Sequence, residues 1–497
     1  MPRIRFRELT AIKVNAVFGA GIAGKSYVVT RERRLNCYYE NREDGDKAKI
    51  VLYGTPGMKY FTVVGPGSPA IRGMLGSTGF LAVVVAGYFY QVNTVGNTVL
   101  TLPMNASNST IGPVSLAQNP TTLIVVDGAA GYLFSPNGGT LKSITVANYS
   151  NSGGFPVGAK TITNCSGFFV CEIPGTQEFA VSNLNDGTTW GALAFASANQ
   201  YADILLAVDS LIGNLVLFSS THMEFWQNVG GVPQPFAPIL AATTEWGLAA
   251  IFSRAHVDSS ICFLGQSPQG GVSVCQASGY EVKPISTPDL DYIFSTFSFV
   301  NDATGLAYRA DKHPMYQISF PTAGRSFLYD CSTGIWSETQ SGLTSAYSQR
   351  HIGNLSTLFN GKQLISDYSN GNLYTADPGT FTDNGQIIKR EIITKHQLES
   401  FNVFSIDELY VDMETGVGTL SGQGMNPQIS LSVSKDNGRT WLDPPLSSAI
   451  GPIGQFQNRV IWRRLGSSRQ FTFKLNMTDP VKFVLTNEAD SRRQRTQ

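Results

Sequence analysis

Gly19-Ala20-Gly21-Ile22-Ala23-Gly24-Lys25-Ser26 fits the pattern of a phosphate-binding loop. In such a loop glycines expose backbone amides to phosphate and a lysine reaches the terminal phosphates. A helix starting at the lysine turns its N-terminus towards the anion. Here Tyr27-Val28-Val29-Thr30 follows, a β-branched and aromatic run that reads as a strand. No alternation of strand and helix surrounds it, so the loop is expected to join strands without holding a nucleotide.

A second motif is Ser434-Lys435-Asp436-Asn437-Gly438-Arg439-Thr440-Trp441. It resembles the Asp-box, a hairpin turn in which Ser434 and Asp436 bond the turn backbone, Gly438 makes the bend and Trp441 packs beneath. Asp-boxes recur in sialidases and other propellers, which brings in a carbohydrate-binding or glycan-cleaving β-propeller as the alternative function. Glycoside cleavage needs two placed carboxylates, or a tyrosine nucleophile with acidic support and arginines around the sugar. The turn occurs once and the central region is poor in arginine. Turn chemistry alone accounts for every residue of the motif.

The remaining reactive residues are dispersed. His222, His256, His313, His351 and His396 include no pair at metal-ligand spacing. Cys37, Cys165, Cys171, Cys262, Cys275 and Cys331 show no Cys-x-x-Cys spacing and mostly lie in apolar strands. They read as reduced core residues. The expectation is a protein that is not an enzyme and takes no metal and no cofactor.

The elements that would carry these residues are short apolar strands in pairs. One pair is Leu123–Val126 with Tyr132–Phe134, and others begin at Phe168, Leu215, Ile261, Tyr316 and Leu364. The starts are about 45–55 residues apart, the length of a four-stranded propeller blade. An earlier pair within Leu81–Tyr90 makes a seventh. The expected fold class is all-β: a β-propeller-like ring of six or seven modules with projecting loop insertions and a C-terminal β-sandwich domain.

Composition narrows the function. Hydrophobic content of 42% and aromatic content of 11% in 497 residues imply a globular chain. Charged residues are only 14%, and Lys+Arg equals Asp+Glu at 36 each, so no net field steers the chain to a polyanion. Between Tyr60 and Ser253 the basic residues are Arg72, Lys142 and Lys160 alone. A surface so poor in charge must be covered by Ser, Thr, Asn and Gly, which suits packing in a protein assembly. The longest apolar run, Phe80–Tyr90, is too short for a bilayer span. No signal peptide follows the basic Met1–Arg7, so the chain is expected to be made and kept in a cytoplasm unless it leaves inside something larger.

Along the chain, residues 1–58 read as an N-terminal β segment with strands at Ala11–Phe18, Tyr27–Thr30 and Ile50–Tyr53 and a polar loop over 41–49. Residues 59–385 form the propeller-like domain, with loop or tip insertions near 93–120 and 148–164 projecting from it. Residues 386–497 form the sandwich with a basic tail, Arg492–Arg495, read as solvated. The best helical pattern is Asp203–Leu211. Basic residues near the C-terminus include Arg459, Arg463, Arg464 and Arg469.

Several islands are similar to a known family. They are Arg34-Leu35-Asn36-Cys37-Tyr38-Tyr39-Glu40, Leu52-Tyr53-Gly54-Thr55-Pro56-Gly57-Met58, Ser220-Thr221-His222-Met223-Glu224-Phe225-Trp226, Leu431–Gly438 and Arg459-Val460-Ile461-Trp462-Arg463-Arg464-Leu465-Gly466 with Phe473–Leu475. The chain resembles the packaged-DNA-stabilisation family, the tail hub or nozzle proteins of short-tailed bacteriophages. The region from Gly65 to Asn164 departs most from that pattern. The resemblance implies a homo-oligomer, a hexamer, attached beneath the head-to-tail adaptor. Tailspikes or tail fibres would dock outside and a tail plug or needle below, with the ring assembled in the host bacterial cytoplasm and carried in the virion tail. Double-stranded DNA would be retained and later conducted through the channel without sequence specificity, past a wall too poor in charge to hold phosphate. Arg459, Arg463, Arg464 and Arg469 are then candidates for a subunit or adaptor interface. Arg463 and Arg464, adjacent on a strand, are expected on opposite faces.

Overall fold

The computed structural model describes residues 11–15, 21–22, 24–42, 50–104, 111–342, 349–398 and 402–495. The expectations for Phe18, for Gly19, Ala20 and Ala23, for the loop tip 43–49, and for the side chains of Arg492–Arg495 lie outside the described residues.

The paired apolar runs are the middle strands of seven blades. Leu81–Val85 and Leu123–Val126 are buried at every position, without alternation. A strand in the middle of a blade has a neighbouring sheet on each face, so both sets of side chains are apolar. The blades are separate sheets built on strands 71–103, 115–143, 162–197, 205–238, 247–284, 304–339 and 353–377. The last takes its outer strand, Gly57–Val63, from before the first blade. Lacing the two ends of the propeller through one sheet closes the ring. Gly57 lies so close to the next turn that a Cβ would stand 2.4 Å from the Thr382 carbonyl and 2.5 Å from that of Thr380.

Around the axis the inner strands splay too far apart to share backbone ladders, and hydroxyls bridge them instead. Ile162 N–H donates to Ser115 Oγ at 3.2 Å, Val208 N–H to Thr161 Oγ1 at 3.0 Å and Ala307 N–H to Ser356 Oγ at 3.0 Å. Gly76 N–H donates to Thr357 Oγ1 at 2.9 Å across the closing seam. Ser and Thr, abundant in this low-charge chain, thus satisfy backbone donors that would otherwise be stranded.

The C-terminal unit is a two-layer sandwich. One sheet orders Cys37–Asn41, Ile50–Gly54, Val484–Arg495, Phe404–Met413 and Val460–Ser468, with Ala11–Asn15 beside Val484–Arg495. The other contains Arg33–Leu35, Arg390–Ile393, Gln470–Met477, Gln428–Ser434 and Leu446–Ala449. Leu52, Phe404, Ile406, Ile429, Leu431, Phe471 and Trp462 fill the space between them. The second sheet does not stop at the domain edge. Arg33–Leu35 also runs parallel to Ile335–Thr339, the outer strand of the sixth blade, so blade and sandwich form one ten-stranded sheet.

Several expectations are corrected. The described strands within residues 1–58 form no separate segment: Arg33–Leu35, Cys37–Asn41 and Ile50–Gly54 belong to the sandwich and Gly57 begins the closing strand. Residues 93–120 contain the outer strand of the first blade, Thr98–Pro103, and the inner strand of the second, Ser115–Gln118. Residues 148–164 do not stand clear of the ring, since Phe155, Ala159 and Ile162 are buried between the second and third blades. Asp203–Leu211 holds a strand, Leu205–Leu211, because its apolar positions pack between blades. Tyr27–Val29 is a turn with Val28 and Val29 exposed, as no neighbouring strand is there to pair with it. The one α-helix among the described residues is Pro288–Ser295, started by Thr287 as N-cap and Pro288 in its first turn.

Candidate functional site

The described residues of the glycine-rich loop face groups of the protein itself. No helix begins at Lys25. Gly21 N–H donates to Glu32 Oε2 at 2.8 Å, and a Cβ at Gly24 would stand 2.4 Å from Asp289 Oδ1. Lys25 Nζ sits 5.3 Å from the centre of the Tyr292 ring. Carboxylates and an aromatic face of this chain occupy the places a phosphate would need.

Two clusters combine the residue types of a hydrolytic triad without its geometry. His313 Nδ1 is 2.8 Å from Asp330 Oδ2 and also 2.8 Å from Ser332 Oγ. His222 Nδ1 is 2.8 Å from Asp203 Oδ2 and 3.0 Å from Thr221 Oγ1. A relay needs the hydroxyl on one ring nitrogen and the carboxylate on the other. Here both share Nδ1, and the hydroxyls bond the carboxylates directly at 2.6 Å. These are turn-stabilising networks.

The 434–441 turn is closed by hydrogen bonds from its own backbone to its own side chains. Gly438 N–H donates to Ser434 Oγ at 2.8 Å, and the amides of Arg439 and Thr440 donate to Asp436 Oδ1 at 3.0 and 2.9 Å. Thr440 Oγ1 donates to Asp436 Oδ2 at 2.6 Å. Burial pushes the Asp436 carboxyl up, but these hydrogen bonds outweigh it and hold the pKa at about 2. Trp441 is half-buried with Lys474 Nζ 4.5 Å from its ring. The side chain of Arg31 lies on Gly438, where a Cβ would be 2.6 Å from its Cγ. The turn therefore anchors the N-terminal segment, and its acceptors are already filled.

Arg459, Arg463, Arg464 and Arg469 are all exposed along one edge of the sandwich, in and beside the edge strand Val460–Ser468. The opposite-face expectation for Arg463 and Arg464 fails. Pairing with Phe404–Met413 slips between Ile406 and Glu408, and Arg464 takes a φ of 61°, so a bulge turns both side chains outward. Nothing in strand alternation reveals such a bulge. Arg463 Nε donates to Glu408 Oε1 of its own chain at 2.9 Å. A charged, bulged edge blunts sheet-to-sheet aggregation and re-aims side chains. Left-handed backbone at a non-glycine residue is strained and tends to mark working surfaces.

Sequence reasoning missed the most heavily constrained polar site, at the seam between blade and sandwich. Arg33 donates from Nη2 to Glu338 at 2.8 Å and from Nη1 to Glu391 at 2.8 Å. Arg325 reaches the other oxygen of Glu338 at 2.9 Å, and Lys389 reaches Glu391 at 2.7 Å. Burial pushes Glu338 up, but the Arg33 and Arg325 charges outweigh it and hold its pKa at about 2. The signal was Arg33-Arg34 just ahead of Leu35 and the apolar Cys37-Tyr38-Tyr39 run, since a charge drawn into a core with them needs a buried partner.

The propeller axis holds a cavity of about 460 Å³ lined by Gly73, Ser115, Arg254, His256, Gly305 and Thr357 among others. Its charged wall is self-contained: Asp209 accepts from Arg254 Nη1 at 2.9 Å and pairs with His256 Nε2 at 2.9 Å.

Two family profiles match the chain. Residues 35–381 match one described as Bacteriophage P22 Gp10, beta-propeller, and residues 389–490 one described as Bacteriophage P22 Gp10, beta-sandwich. No curated protein matches by sequence. Among solved structures, the chain is similar to the Pan2 WD40 domain of Neurospora crassa, with 9% identity, 65% of this chain and 96% of that one covered and a TM-score of 0.42. It is also similar to YCF48 from Cyanidioschyzon merolae, with 15% identity, 65% and 99% covered and a TM-score of 0.39.

Proposed function

The chain belongs to the bacteriophage P22 Gp10 family through both its propeller and its sandwich, and from that premise we propose that it is the tail hub, or nozzle, beneath the head-to-tail adaptor. It is a structural component of a phage tail and so of the virion. In the proposed role six copies form a ring that retains packaged DNA and conducts it during ejection. Tailspikes or fibres bind outside and a plug or needle below, after assembly in the host cytoplasm.

The observation that carries this reading is the ten-stranded sheet shared by blade and sandwich. A sheet continuous across two domains, with its cations and carboxylates buried at the seam, resists the hinge motion expected where domains merely touch. A tail ring that holds pressurised DNA needs such a rigid subunit. The chemistry points the same way, because each cluster resembling a catalytic one is satisfied internally.

The reading also says where DNA goes. A duplex, whose major groove alone is about 12 Å wide, is too large for an axial cavity of about 460 Å³ lined by the inner strands. The conducting channel is therefore formed between subunits. Basic residues are sparse in the first four blades, and a wall built from them would release few counterions and let the duplex slide.

Sedimentation of the full chain with purified portal–adaptor particles tests the proposal. Binding that saturates at six copies per particle is expected. Failure to bind, together with retention or cleavage of glycans by the free chain, would favour a carbohydrate-active tail propeller.

A further inference from the structure

The axial cavity has no task in a ring whose channel lies between subunits. Arg254 and His256 both line it. Arg254 follows the short 3-10 turn Ile251–Ser253, and His256 lies on the strand Ala255–Val257 of the fifth blade. Asp209, on the inner strand Leu205–Leu211 of the fourth blade, clamps both and spends its two oxygens on them. The guanidinium is fixed further, with Nε donating to the Ile251 carbonyl at 3.0 Å and Nη1 to that of Val208 at 2.8 Å. What remains on this wall is a set of donors. Arg254 Nη2 and His256 Nδ1 have no hydrogen-bond partner among the described residues. The hydroxyls of Ser356 and Thr357, also in the lining, accept backbone N–H groups but donate to no described group. The rest of the wall is largely apolar, with Val114, Leu116, Ile251, Leu355 and Leu358.

We propose that the axial cavity binds a small organic carboxylate, with its oxygens on Arg254 Nη2 and His256 Nδ1 and its carbon chain against the apolar wall. A cavity of about 460 Å³ with apolar walls and a few converging polar groups has the character of a small-molecule site. Donors that carry positive charge select an anion, and a guanidinium held in one plane matches the two oxygens of a carboxylate. The apolar wall favours an alkyl chain over a bare inorganic ion. Two cations face one carboxylate here, so the wall is net positive while His256 is protonated. Asp209 raises the His256 pKa above its ordinary 6.5, outweighing burial and the Arg254 charge. The other charged groups beside His256 are Asp258 and Arg309, which pair with each other. In the neutral ring Nε2 keeps its proton for Asp209, and Nδ1 turns from donor to acceptor and repels the ligand. Binding therefore weakens as pH rises through the His256 pKa.

The test is isothermal titration calorimetry of the full chain with sodium hexanoate at fixed ionic strength. Saturable binding at one site per chain is expected at about pH 6, fading as the solution is made alkaline. His256→Gln keeps a donor but not the charge, and should weaken binding roughly tenfold and flatten the pH profile. His256 is half-exposed, so this variant should fold as the parent does. Hexylammonium, matched in chain length and opposite in charge, should not bind. No heat from hexanoate, equal binding of hexylammonium, or an unaltered affinity and pH profile in His256→Gln would each overturn the proposal. Chloride or inorganic phosphate binding as tightly as hexanoate would also overturn it, and would mark the site as one for an adventitious ion only. None of these outcomes depends on ring formation or on the adaptor, so the nozzle reading stands or falls separately.

Discussion

Arg33 Nη2 stands 2.8 Å from Glu338 Oε2, with both side chains at least nine-tenths buried, where the outer strand of a propeller blade meets the first strand of a sandwich sheet. The pair is local to neither domain: one residue comes before the propeller and the other from its sixth blade. Because Arg33 also holds Glu391, one guanidinium bridges two carboxylates from different strands, with Arg325 and Lys389 supplying the remaining positive charge. Such a network fixes the register of the seam more than it adds net stability, since desolvation offsets much of the attraction.

Removing the cation is accordingly costly. Arg33→Met leaves Glu338 facing only Arg325, and Glu391 only Lys389, in a buried setting. The expected loss is about 3–5 kcal/mol, read as a lower midpoint in urea unfolding. A loss under about 1 kcal/mol would mean that the seam is wet and the pair dispensable.

Acid should weaken the same seam. Glu338 falls from its ordinary 4.5 to about 2 in the folded chain, and Glu391 is also depressed, because burial is outweighed by Arg33 and its neighbours. Both groups have lower pKa values folded than unfolded, so their stabilisation is present above about 4.5 and disappears as pH falls towards about 2. Urea midpoints measured across that window should drop steeply. Glu338→Gln should start lower and flatten the slope.

Ring closure has its own weak point. At Gly57 the neighbouring carbonyls of Thr380 and Thr382 are backbone and cannot swing aside from a new Cβ. Gly57→Ala should cost about 1–3 kcal/mol and raise hydrogen exchange in Asn372–Asp377, the strand paired to it. Unchanged exchange there would show that the propeller does not depend on this lacing.

The middle hairpins of the blades were legible in the sequence because strands covered on both faces are apolar throughout, as in Leu81–Val85. Outer strands were not: Thr98–Pro103 is largely exposed and falls in the stretch read as a loop insertion, and Thr140–Ser143, also partly exposed, has no apolar run to mark it. The partner of Gly57–Val63 lies at the other end of the propeller, which local pattern cannot supply. The helix Pro288–Ser295 is too short for periodicity, though Thr287-Pro288 and the acidic Asp289 and Asp291 mark its start. The Asp-box turn was readable since its side chains bond their own backbone. The bulge at Arg464 is a backbone event and left no residue signature.

The arginine edge should matter for assembly and little for folding. Arg463 is two-thirds exposed, so its pair with Glu408 contributes at most a few tenths of a kcal/mol. Arg463→Glu with Arg464→Glu should unfold within about 1 kcal/mol of the parent yet lose co-sedimentation with portal–adaptor particles. Full binding by that double variant would remove the edge from the interface.

Electron microscopy of the full chain mixed with its portal–adaptor complex tests the nozzle reading most directly. The expected image is a six-fold ring below the adaptor whose lumen lies between subunits, with each sandwich continuous with the sixth blade. Monomers that never join the complex, or a duplex threaded along the axis of a single propeller, would contradict it.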